Sequence, residues 1–137
     1  DTLMSEKVQM DSDVRGERAL QMGALKLASE VVDGVLLIHV SGPLDSATYD
    51  QFKAFMDPVV AQPQLVIVLD CRNLTYVNSH AWTLLMHYHR WAMQGLSNFK
   101  IAAFNSRLMK GIQRLGLGNY LAMSPTVEDA LHPALAM

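Results

Sequence analysis

The run Leu65-Val66-Ile67-Val68-Leu69, followed by Asp70 and a few residues later by Leu74-Thr75-Tyr76-Val77-Asn78-Ser79-His80-Ala81, decides the fold. An unbroken apolar run without alternation describes a strand covered on both faces, as strands of a parallel sheet are. Parallel strands must be joined by a crossover, normally a helix. Ser79 to Gln94 supplies one, and Gly95 stands where a left-handed cap closes a helix. Asp70 to Asn78 reads as the loop between strand and helix.

The same alternation extends outward on both sides. Ala24 to Ser29 with Val31 to Asp33, then Val35 to Val40, read as two strands around a turn at Gly34. Ser41, Gly42 and Pro43 break that run. Phe52, Phe55, Met56, Val59 and Val60 then fall at the spacing of one helix face. Pro58 predicts a kink, with Asp57 capping a new turn in which the proline takes the tolerated first position. Beyond Gly95, Phe99 to Phe104 is another buried strand. Asn105 or Ser106 caps a helix whose Leu108, Ile112 and Leu115 face the core, and Gly116 ends it. Tyr120 to Met123 is a last short strand. Thr126 opens a final helix, with Asp129 three residues on as in a capping box and Val127, Ala130 and Leu131 on its buried side. The class is α/β: a mixed, mainly parallel sheet of four to five strands with about four helices. Residues 1–23 are mostly polar and read as a flexible N-terminal extension, with a short helix over Val14 to Met22 weakened by Gly16; residues 24–137 form the domain.

Composition narrows the function. The 137 residues carry a formal net charge of −2, too balanced to attract a polyanion, so direct binding of nucleic acid is not expected. Cys71 is the only cysteine, which rules out an internal disulfide and a multi-cysteine zinc site and suits the cytoplasm. No apolar run approaches the ~20 residues that span a bilayer, so a soluble piece without direct membrane contact is expected, unless the chain is a fragment of a transporter. No motif asks for a cofactor.

Leu74 to Ala81 lies after the carboxyl end of the central strand, where open α/β sheets meet their ligands and partners. A helix start there gathers unpaired N–H groups and the positive end of the macrodipole. Asn78 and Ser79 are also simple capping residues, and capping alone would explain them. A second segment, Val40-Ser41-Gly42-Pro43-Leu44-Asp45-Ser46-Ala47-Thr48, stands at the corresponding end of the preceding strand, with Asp45 again a natural cap. On the long helix, Ala81, Leu84, Leu85, Tyr88 and Ala92 form the core stripe. Trp82 and Met86 lie beside it, as a docking patch near Ser79 if exposed and as core if covered. His87 and His89 point apart and make no metal pair. Ser79 and His80 diverge as helix neighbours and make no catalytic pair, and Gly116-Leu117-Gly118 lacks the setting of a dinucleotide fingerprint. No catalytic residue is assigned. Arg107, Lys110 and Arg114 make a basic stripe suited to solvent or to an acidic partner.

Taken together, the two segments resemble the STAS family: anti-sigma-factor antagonists and the related domains of sulfate transporters. In that family a strand ends in a small residue and Gly, followed by Leu-Asp and a helical Thr, as Ser41, Gly42, Leu44, Asp45 and Thr48 stand here. The central strand is followed by an aromatic or apolar pair, here Tyr76-Val77. A tetrapeptide typically Asp-Ser-Ser/Thr-Gly then opens the next helix, here Asn78-Ser79-His80-Ala81. Ser106, Arg107, Leu115 and Gly116 echo a later signature. The resemblance spans about Ala24 to Leu131. It implies partner switching, in which the protein binds an anti-sigma factor that is also a serine kinase, phosphorylation of the serine at Ser79 dissolves the complex, and a serine phosphatase restores it. Asp45, Thr48, Asn78, His80, Trp82 and Met86 would line the partner surface. Asn78, His80 and Ala81 differ from the usual Asp, hydroxyl residue and Gly, which keeps open an alternative: a constitutive docking domain, either a scaffold subunit or the cytoplasmic domain of an anion transporter. A small enzyme or nucleotide-binding module is a third reading, without a complete motif behind it.

Overall fold

The computed structural model describes residues 24–114, 116 and 122–132. Among them five strands form one sheet in the order β1 (Lys26–Val32), β2 (Val35–Leu44), β3 (Val66–Val77), β4 (Asn98–Ala102) and β5 (Ala122–Ser124). The β1–β2 pair is antiparallel and every other pair is parallel. The helices are α1 (Tyr49–Val60), α2 (Ser79–Gln94), α3 (Ser106–Arg114) and α4 (Val127–Leu131). This is the mainly parallel α/β architecture that the alternation of elements predicts. The N-terminal extension with its Val14 to Met22 helix, Leu115 and Tyr120 lie outside the described residues.

The sheet is packed on both sides. Ile38, Val40, Ile67, Leu69, Phe99 and Ile101 join Phe52, Met56 and Val60 of α1, Leu85 and Tyr88 of α2, and Ile112 of α3 in the larger core. On the opposite face Val35, Leu37, Val68 and Ala102 pack with Ala130 of α4. Successive residues of β3 therefore point into two different apolar environments, which is why its first half shows no alternation.

Four local expectations are corrected. Ser41-Gly42-Pro43 does not end the second strand, and Asp70 to Val77 is not a loop. Both strands run on together, through register shifts between His39 and Ser41 and between Gly42 and Pro43. The extra residues fall on β3, since His39 pairs with Asp70 but Ser41 with Asn73, and Gly42 with Leu74 but Pro43 with Tyr76. Such bulges break the period of two that a sequence reading depends on. Gly42 has φ +106, and a Cβ there would stand 2.4 Å from the carbonyl oxygen of Ala24, so the glycine serves close chain passage. Pro58 does not start a new turn: α1 continues to Val60. Pro58 sits near the helix end, where the carbonyl it leaves without a partner belongs to exposed Ala54. Asp57 caps nothing and instead accepts bonds from the Tyr88 hydroxyl (2.6 Å) and Lys53 Nζ (2.6 Å). Finally, Gly95 has φ −92, and the left-handed residue after α2 is Leu96, at φ +61. The Ser97 N–H reaches Ala92 O (2.8 Å) and the Leu96 N–H reaches Met93 O (3.1 Å), the two bonds of a Schellman closure.

A polar chain crosses the sheet on the α4 side. His39 Nδ1 meets Asp70 Oδ2 at 2.8 Å and His39 Nε2 meets Glu30 Oε2 at 2.6 Å, while the Arg72 guanidinium clasps Asp70 with contacts down to 2.8 Å. Both partners of the imidazole are carboxylates, so its protonated form donates from both nitrogens and is the form these contacts favour. The bond to Glu30, opposed by desolvation and reinforced by Asp70, raises the His39 pKa above its ordinary 6.5. Desolvation pushes Asp70 upward, but the Arg72 side chain and backbone together with His39 hold its carboxyl below the ordinary 3.8.

The signs of these shifts set a pH window. The His39 contribution is complete below 6.5 and is lost as pH rises through the raised value; the Asp70 contribution is complete above 3.8 and is lost as pH falls through the lowered one. Denaturation midpoints measured from neutral to alkaline pH are expected to fall for the wild type. His39→Gln is expected to flatten that limb, and an unchanged slope in the variant would exclude the imidazolium as its source.

Candidate functional site

The pairing of β2 with β3 continues to the pair Leu44–Val77, and beyond it the Asn78 N–H donates to the Leu44 carbonyl at 3.0 Å. The two segments singled out from the sequence are thereby held edge to edge at the carboxyl ends of neighbouring strands. Leu44 and Val77 are buried beneath them, at 2% and 8% exposure.

On the first segment, Asp45 folds back on its own loop. Its Oδ1 accepts from the N–H groups of Ala47 (2.9 Å) and Thr48 (3.1 Å). The Thr48 hydroxyl accepts from the Asp45 N–H (3.0 Å) and donates to the Pro43 carbonyl (2.8 Å). Thr48 is buried, so it braces the loop and offers no contact to a partner. Asp45 remains partly accessible.

On the second segment, Asn78 is the N-cap of α2, with Oδ1 accepting the Ala81 N–H at 2.8 Å. Asn performs that task as well as Asp. Ser79 is the first residue of the helix and is exposed, and its carbonyl accepts from Thr83 Oγ1 at 2.9 Å. The first turn of α2 carries no acidic residue, so the partial positive charge of the helix start is not offset from within the turn. His80 is also exposed, and its ring lies on Tyr49 of α1 with centroids 4.2 Å apart and planes 9° from parallel. Ala81 is buried at 1% exposure, so its methyl fills the core and adds no bulk to the surface.

A cleft of about 350 Å³ opens beside Ser79, lined by Tyr76 and Asn78 on one side and by Arg107, Leu108 and Gly111 of α3 on the other. Asn105 sets the start of α3, accepting from the N–H groups of Arg107 (2.7 Å) and Leu108 (3.3 Å). Tyr76, half exposed at 50%, stands at the rim.

The expected docking patch of Trp82 and Met86 is not at the surface. Trp82 has 0% exposure and packs edge-on against Phe104, with centroids 5.6 Å apart; Met86 is half-buried against the same core. Trp82 supports α2 from beneath and ties it to the segment leading into α3. Half-exposed Tyr76 and half-buried Tyr49, which stacks on exposed His80, are the aromatics beside Ser79 instead of Trp82. Tyr49 could have been found from its position one residue after the Thr48 brace, where a ring at the start of α1 faces the start of α2. Among the described residues no group of three His, Cys, Asp or Glu side chains could hold a metal ion, and no helix is long and apolar enough to cross a membrane.

A mainly parallel sheet with two capped loops at one end, and a helix-start serine between them, defines an α/β module whose exposed features are a surface rather than an enclosed chamber. The family model of the STAS domain matches residues 26–130, and the chain belongs to that family. No curated protein sequence matches it. Among solved structures, it is similar to an anti-sigma factor antagonist from Mycobacterium paratuberculosis, with TM-score 0.72 and 23% identity over 81% of this chain and 94% of that one. It is similar to the Bacillus cell fate determinant SpoIIAA in its phosphorylated form, with TM-score 0.59 and 21% identity over 81% of this chain and 99% of that one. The murine anion transporter Slc26a9 contains a similar domain, with TM-score 0.68 and 14% identity over 86% of this chain and 23% of the transporter.

The division between surface and support is measurable. Trp82→Ala is expected to lose about 3–5 kcal/mol of stability and Asn78→Ala about 1 kcal/mol, whereas Ser79→Ala stays within about 0.5 kcal/mol of wild type. Chemical denaturation of the three variants checks the order, and a Trp82→Ala loss no larger than that of Ser79→Ala would contradict the buried placement.

Proposed function

We propose that this STAS domain is an anti-sigma-factor antagonist that acts by partner switching, docking to an anti-sigma factor with serine kinase activity through the surface around Ser79. Phosphorylation of Ser79 releases it, and a serine phosphatase restores the docking form. The chain catalyses no step itself in this reading, and its working place is the cytoplasm.

The observation that carries the reading is the exposed Ser79 at the first position of α2, in a turn without acidic residues. A phosphate brings roughly −1.5 to −2 charges. At a helix start those charges meet N–H groups and the positive end of the macrodipole, so the fold accepts them. Arg107 across the cleft supplies a cation on the same side. A partner packed over Ser79 has no such accommodation, and an uncompensated charge in an interface can cost several kcal/mol, where ~1.4 kcal/mol is tenfold in affinity. The accessible part of the docking surface is Asp45, Tyr49, Tyr76, Asn78 and His80, with Thr48 and Trp82 as supports.

Constitutive docking is the second reading. The Tyr49–His80 stack favours it, because it forms an aromatic surface beside Ser79 without using the serine side chain. Incubation with ATP and the serine kinase of its own regulatory locus, followed by intact and peptide mass spectrometry, separates the two. One phosphate on Ser79, absent from Ser79→Ala, is the expected result. Kinase binding without phosphate transfer would replace the switch by a constitutive docking domain.

A further inference from the structure

Among the described residues β1 is the outermost strand of the sheet on its side. From Lys26 to Val32 only Leu27 and Val32 are half-buried, and Val31 is 73% exposed. Sheet edges are normally protected by brevity, charge, proline or a bulge. β1 is seven residues long, contains no proline, pairs with β2 in unshifted register, and carries its two charges, Lys26 and Glu30, on the face opposite Leu27, Ser29 and Val31.

The hairpin geometry shows which backbone groups this edge presents. Asp33 (φ +52) and Gly34 (φ +79) form a two-residue turn of the mirror-image type, which makes Val32 and Val35 a hydrogen-bonded pair. Alternation then assigns Glu30, Ala28 and Lys26 to β2 and leaves Leu27, Ser29 and Val31 to direct their N–H and C=O groups outward. The side chains of these three lie on the helix-covered side of the sheet, where Leu27 packs against the larger core.

We infer that this edge pairs with β1 of a second copy of the chain, antiparallel about a twofold axis at Ser29. That register overlaps the whole strand. It sets Leu27 opposite Val31 of the second copy, twice, and Ser29 opposite its symmetry mate, so the outward groups of all three residues gain partners and the exposed Val31 gains an apolar neighbour. On the other side Lys26 lies diagonal to Glu30 of the second copy, again twice, while each Glu30 keeps its own His39 at 2.6 Å. The match in charge and in apolar positions is thus self-complementary, as a twofold interface requires. A single strand pair is a small interface, so the dimer is concentration-dependent. Ser79 takes no part in it.

The test uses the full chain. Sedimentation is expected to show a dimer that grows with concentration, and Val31→Lys, with an unchanged circular dichroism spectrum, is expected to weaken it by at least about tenfold. Single cysteines report the register. At the axis Ser29→Cys brings two Cα atoms to about 5.5 Å, within disulfide range, and is expected to cross-link on oxidation. Val31→Cys sets its pair about 14 Å apart and is expected to remain uncross-linked; Cys71 is buried and does not compete. A chain that stays monomeric at every concentration would overturn the inference, as would cross-linking at Val31 or Ala28 instead of Ser29. A monomer whose Leu27, Ser29 and Val31 amides are protected from exchange would overturn it as well, by placing the chain's own residues on this edge.

Discussion

Parallel pairing of β2 with β3, carried past two register shifts to Leu44 and Val77, is the constraint from which the site derives. Each shift adds a residue to β3, which lets the two strands end level with each other. Had β2 stopped at Ser41, the Asp45 and Ser79 segments would not share the Asn78–Leu44 backbone bond. Gly42 is the residue without which this path closes, because any side chain there meets the Ala24 carbonyl. A glycine in the middle of a strand usually weakens it; here it permits close chain passage beside Ala24.

Two kinds of interaction hold this arrangement, and they act on opposite faces. On the helix side the restraint is apolar: Phe52, Trp82, Leu85 and Tyr88 are fully buried and fix α1 and α2 against the sheet, so that Tyr49 and His80 at the two helix starts can stack. On the other side the chain Glu30–His39–Asp70–Arg72 links β1, β2 and β3, with Arg72 beside Val127 and Glu128 of α4. A buried carboxylate such as Asp70, at 3% exposure, is tolerable because three groups satisfy it. Its position on the strand that leads into Asn78 and Ser79 places polar and apolar restraints along a single element.

Much of this was legible in the residues and some was not, for identifiable reasons. The unbroken run Leu65 to Leu69 identified the central strand, because burial on both faces leaves no room for polar positions. The cap signals at Asn78, Asn105 and Thr126 each correspond to an observed side-chain to N–H bond. Ser-Gly-Pro read as a break because propensity describes a residue in isolation, whereas here β3 supplies a partner that overrides it. Trp82 was ambiguous for a different reason. Helical spacing places it beside the core stripe, and whether that flank is covered depends on Phe104, a contact between distant parts of the chain that no periodicity encodes. The position of Tyr49 beside the Thr48 brace was a usable signal, but its pairing with His80 is again a contact between distant parts of the chain.

The proposed docking role rests on the helix-start position of Ser79, where a charge would alter the surface while sparing the fold. The most direct measurement of that claim is calorimetric titration of the proposed kinase partner with unmodified and stoichiometrically Ser79-phosphorylated protein, alongside their thermal midpoints. The account predicts an affinity lower by about a hundredfold or more for the phosphorylated form with a midpoint close to that of the unmodified protein. Equal affinities would contradict a phosphate-gated surface, and a collapsed midpoint would mean that the charge acts on the fold instead of on the interface.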